Sequence, residues 1–82
     1  MTFAYLNTPQ EDPVVGLVGP LVLATRGPDG SGEVMLSIRG GREAYLAWSE
    51  APLPSGTQVL VIDIRSARTV DVVPWTENFS VD

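Results

Sequence analysis

Eighty-two residues leave room for one domain, and a chain of this size buries only about 60–65% of the surface its unfolded form exposes, so its core must be economical. The chain has no cysteine, histidine or lysine, which removes disulfides, the usual zinc sites, Ser/His and Cys/His nucleophilic systems and every Schiff-base or lipoyl attachment point; no cofactor or metal is expected. Ten carboxylates against five arginines give a net charge of −5, the wrong sign for binding a phosphate backbone by counterion release.

Residues 1–13 mix Asn7, Pro9, Glu11, Asp12 and Pro13 into a polar, proline-bounded lead-in with neither helical period nor a basic-then-apolar signal pattern. Phe3 and Tyr5 alternate within it. It reads as a partly ordered arm, or as an arm that pairs with a sheet edge here or in a second copy, which would give a homo-oligomer. The longest apolar stretch, 14–25, is broken by Gly16, Gly19 and Pro20 and falls short of the roughly 20 residues a membrane helix needs, so the chain reads as soluble with no span of its own.

A first strand is expected over 17–26, where Leu17, Val18, Leu21, Val22 and Leu23 favour sheet, with Pro20 at an edge or bulge because it has no N–H to donate. Residues 27–32 form the following loop, with Pro28 suited to the first central position of a tight turn. Strands over 33–39 and 42–49 then meet across Gly40-Gly41 as a hairpin. That turn sets Arg39 against Arg42, Ser37 against Ala44, Met35 against Leu46 and Glu33 against Trp48. The other face carries Val34 with Ala47, Leu36 with Tyr45 and Ile38 with Glu43, and this more apolar face is assigned to the core.

Pro52 and Pro54 make 49–55 a connecting loop, with room for at most one helical turn near Ser49. The fourth strand, 57–65, is apolar on both parities through Val59, Leu60, Val61, Ile62 and Ile64, and Asp63 marks an exposed end or a bulge. Ser66-Ala67 turns into a fifth strand over 68–74, with Val70 and Val72 pointing inward. The expected organisation is an arm over 1–13, a domain over 14–75 and a polar tail over 76–82.

Five short strands with one longer connection between the third and fourth fit an all-β fold, a small five-stranded OB-fold Greek-key barrel whose closure removes most free strand edge. The run Gly56-Thr57-Gln58-Val59-Leu60-Val61, continued by Val70-Asp71-Val72-Val73-Pro74, resembles the C-terminal soluble OB-fold domain of NfeD-like proteins. Gly16 and Gly19 before the first strand, the 28–32 turn and Tyr45-Leu46-Ala47-Trp48-Ser49 extend the resemblance over about 16–74. It implies association with flotillin-like, prohibitin-homology membrane proteins, and a place after membrane-spanning helices, some members also carrying an upstream serine protease domain. This chain shows neither helices nor protease. It therefore reads as an isolated cytoplasmic domain, held at a membrane through a partner or a missing membrane segment, and no catalytic residue carries over.

Trp48, Met35 and Leu46 share the hairpin face opposite the core and form the leading candidate for partner binding, the plain alternative being that an arm or the proline loop covers them. Arg39 and Arg42, placed side by side by the turn, are the second candidate, for an acidic partner or a lipid phosphate; otherwise they are two solvated side chains. Glu33, Glu43, Glu50, Asp63 and Asp71 show no cage spacing and read as solubilising charge. Trp75 reads as a plug for the barrel end. A non-catalytic protein-interaction module is thus the leading expectation. The rival, an oligonucleotide-binding OB domain, has Tyr45 and two tryptophans for stacking but the wrong charge.

Overall fold

Strands whose apolar residues alternate, with no helix among the described residues to cover a face, hide those side chains by wrapping the sheet round itself. The computed structural model describes residues 14–76, and there the chain forms β1 (Val18–Leu23), β2 (Gly32–Ile38), β3 (Gly41–Trp48), β4 (Gln58–Ser66) and β5 (Thr69–Pro74). These close into a barrel in the order β1-β2-β3-β5-β4, antiparallel everywhere except between β3 and β5. This is the expected all-β, OB-type barrel. The expected arm over 1–13, its edge pairing, and the tail beyond residue 76 lie outside the described residues.

The interior is filled by Val14, Leu21, Val34, Leu36, Ala47, Val59, Val61, Val70 and Val72, all buried, with Leu17, Ile38, Tyr45, Leu53 and Ile64 packed around them. Gly19 is buried because its place in β1 leaves no room: a Cβ there would collide with the Met35 carbonyl oxygen. β1 is shared between two neighbours. Val18, Gly19 and Pro20 pair with β4, and Leu21 and Leu23 pair with β2 across an irregularity that Pro20 immediately precedes.

The hairpin register differs from the Gly40-Gly41 expectation. Ile38 pairs with Gly41, and the turn residues are Arg39 (φ 55°) and Gly40 (φ 83°), both left-handed as a type I′ turn requires. Every partner moves by two, so Ser37 faces Arg42, Met35 faces Ala44, Val34 faces Tyr45 and Glu33 faces Leu46. The left-handed Arg39 costs about 1–2 kcal/mol. Against this, the observed register dissolves the like-charged Arg39/Arg42 pair and sets Gly32, which has carbonyls of Leu23 and Ala24 pressed against it, opposite the small Ala47. An even shift preserves faces, which is why Val34, Leu36 and Ala47 are the buried set despite the altered pairing.

β4 carries irregularities between Val61 and Asp63 and between Ile64 and Ser66. The first resets the alternation: Val59 and Val61 face in, Ile62 and Asp63 are both exposed, and Ile64 returns to the core. Asp63 thus stands at a bulge, as its charge suggested. The 49–57 connection contains no helix and is tied down by Thr25, a buried polar side chain. Thr25 Oγ1 accepts the Leu53 N–H at 2.9 Å and lies 2.6 Å from Ser49 Oγ, which donates to the Ala51 carbonyl at 2.8 Å.

Candidate functional site

The parallel contact between β3 and β5 aligns Leu46 with Thr69, Ala47 with Val70 and Trp48 with Asp71. Trp48 and Asp71 therefore emerge side by side on the outer wall, and the second irregularity of β4 brings Arg65 over both. Its guanidinium carbon is 4.7 Å from the Trp48 ring centroid, and its Nε donates to Asp71 Oδ1 at 2.8 Å. With Arg65 half exposed, the ion pair contributes no more than about 1 kcal/mol. Its structural effect is to hold the indole against the wall.

An open groove of about 500 Å³ lies beside the tryptophan. Pro28 from the first loop, Glu50 from the proline loop, Ile62 and Asp63 from the β4 bulge, and Val73 from β5 line it together with Trp48, Arg65 and Asp71. Asp63 Oδ1 accepts the Ile64 N–H at 2.8 Å, and among the described residues neither Asp63 nor Glu50 has an ion-pair partner. A volume of this order suits a few side chains of a ligand.

Of the partner-binding candidates only Trp48 lines this groove, joined by Glu50, Asp63 and Asp71, which the sequence suggested were solubilising charge. Met35 and Leu46 share its outer face, as expected, yet Met35 sits across from Ala44 and Leu46 from Glu33, so the two are diagonal neighbours. Leu46 is well exposed. Arg39 occupies the turn and Arg42 faces Ser37, so the side-by-side pair expected of them does not form. Trp75 is not a barrel plug: it is 38% exposed, and its backbone N–H extends the ladder to the Gln58 carbonyl at 2.9 Å.

Arg65 and Arg68 were not singled out by the sequence, because the β4 irregularities and the tight β4–β5 turn hide which way they point. Arg68 has φ 58°, lies 5.0 Å over the Tyr45 ring and donates to Glu43 Oε1 at 3.0 Å. The register also builds an apolar row across three strands, Val18 to Leu60 to Val73, on the outer wall next to the groove. Among the described residues no three acidic side chains converge in a way that could hold a metal ion. No helix there is long and apolar enough to cross a membrane.

The NfeD C-terminal domain family model matches residues 18–73, from the first residue of β1 to the penultimate residue of β5. The fold is similar to the soluble domain of the NfeD protein YuaF from Bacillus subtilis, with TM-score 0.60 and 34% identity, covering 72% of this chain and 70% of that one. It is also similar to the C-terminal domain of stomatin operon partner protein 1510-C from Pyrococcus horikoshii, with TM-score 0.59 and 26% identity, covering 78% and 91%. A search of curated proteins finds no match. With the matched span running through all five strands of the barrel, the chain belongs to the NfeD C-terminal domain family.

Proposed function

We propose that this domain is a non-catalytic docking module that engages a membrane-associated scaffold protein of the stomatin, flotillin or prohibitin-homology type, and is held at the membrane through that partner. The observation that carries the reading is the groove beside Trp48, where an aromatic anchor and exposed aliphatic side chains are gathered on the wall of a closed barrel. Aromatic residues in such settings are the usual anchors of protein interfaces. Membership of the NfeD C-terminal domain family supports the choice of partner, as does similarity to a protein described as a stomatin operon partner. The lack of histidine, cysteine and lysine removes the Ser/His, Cys/His and lysine nucleophilic systems, which supports a binding role.

The test is binding of the immobilised 82-residue chain to a purified prohibitin-homology protein. The Trp48→Glu variant should keep the wild-type thermal transition and lose at least tenfold in affinity, while Leu46→Glu, outside the groove, should bind normally. Equal binding by Trp48→Glu and wild type would remove the groove from the interface; a wild-type chain that ignores the scaffold protein and instead binds single-stranded DNA or RNA would replace the reading with an oligonucleotide-binding one.

A further inference from the structure

We propose that the groove takes a short basic and aliphatic segment of a partner protein, with the aliphatic side chains on its floor and arginine or lysine side chains at its rim; this rests on the docking reading above and specifies the chemistry of what docks. The floor is apolar: Trp48, Ile62, Val73 and Pro28 contribute it. The charge of the lining is one-sided. Glu50, Asp63 and Asp71 stand against Arg65 alone, and Arg65 is already engaged by Asp71, which leaves two carboxylates without a cation among the described residues.

The charge pattern selects among occupants. The carboxylates do not gather into a cage for a single metal ion. Spread along an apolar floor, they match cations carried on separate side chains of one segment. An anionic lipid surface or a nucleic acid meets the wrong sign here, and a second copy of this chain, with net charge −5, brings more repulsion than attraction. Charge complementarity of this kind raises the association rate and rejects acidic competitors, with modest gain in final affinity.

The probe is a capped peptide of four Arg-Val repeats, titrated into the full 82-residue chain carrying Trp75→Phe so that Trp48 is the sole indole reporter. Trp75 is part-exposed and joins the ladder through its backbone, so this change leaves the barrel intact. Trp48 fluorescence should change saturably, and the response should weaken with added salt. Glu50→Gln with Asp63→Asn should weaken binding roughly threefold to tenfold, the asparagine keeping an acceptor for the Ile64 N–H. Glu43→Gln, at the Arg68 cluster away from the groove, should leave binding unchanged.

Equal binding of a four-repeat Glu-Val peptide, or no response to the Arg-Val peptide, would overturn the proposal. So would sedimentation showing that the chain self-associates with Trp48 shielded, which would make a second copy the occupant. If Trp48→Glu abolishes scaffold binding while the Arg-Val peptide is ignored, docking at the groove stands and the basic-segment proposal falls.

Discussion

Replacing Thr25 by valine tests how the proline loop is held. Thr25 is buried, its Oγ1 accepts the Leu53 N–H at 2.9 Å, and it sits 2.6 Å from Ser49 Oγ. The Ser49 hydroxyl donates to the Ala51 carbonyl, and one hydrogen bond joins the Thr25 and Ser49 hydroxyls. Valine keeps the shape, strands the Leu53 N–H and leaves Ser49 to find water. An unsatisfied buried donor costs about 1–3 kcal/mol, and the added methyl returns a few tenths, so a net loss of about 1–2 kcal/mol is expected. At an m-value near 1 kcal/mol/M in urea the midpoint should fall by about 1–2 M, with the m-value itself unchanged. Urea titration followed by tryptophan fluorescence reads this directly, and Leu53 amide exchange should accelerate in step. Thr25→Ser, which keeps the acceptor, should recover most of the loss. A Thr25→Val midpoint equal to wild type would refute the hydrogen-bond argument. A change in m would point to an altered denatured state instead.

The core and turns give further expectations. Leu36→Ala removes a fully buried side chain from the barrel and should cost about 2–5 kcal/mol, read as a fall in the urea midpoint; a loss under 1 kcal/mol would mean that the interior relaxes around the hole. Gly32→Ala forces a methyl onto the carbonyls of Leu23 and Ala24 and should destabilise by about 1–3 kcal/mol by thermal melting, an effect absent if β1 and β2 can part. Arg39→Gly relieves a left-handed arginine and should be neutral to about 1 kcal/mol stabilising once the freer unfolded chain is counted, and a lower melting temperature would show that the arginine side chain matters to the turn. Arg65→Ala should change stability by less than about 1 kcal/mol yet shift Trp48 emission, since the guanidinium over the ring is lost; an unmoved spectrum would deny the stacking.

Much of the barrel could be read from the chain because its dominant signals are local. Val34 and Leu36, Val59 and Val61, and Val70 and Val72 each mark an inward face by twofold spacing, and Pro52 with Pro54 mark a loop. What could not be read depends on one-residue choices. Gly40 and Gly41 invite a turn across themselves, yet Arg39 and Gly40 take it, and the consequence is that Arg39 and Arg42 part company. The groove was beyond reach for a similar reason. Trp48 was visible as an outward residue, but its companions Ile62, Asp63 and Arg65 are aimed by two irregularities in β4 that break the alternation on which sequence reading relies. The nearness of Trp48 to Asp71 comes from a parallel pairing, which no turn residue announces.

The divided allegiance of β1 bears on how the molecule folds. β2 with β3, and β4 with β5, are neighbours in the chain and can assemble early through short excursions, whereas joining Val18 to Leu60 must wait for the ends of the domain to meet. Closure is therefore the step with the greatest loop entropy to overcome, and it should slow folding relative to a helical protein of equal length. Until it happens, β1 and β4 each present an open flank to solvent, so the interval before the seam shuts is when this chain is most prone to pair with another.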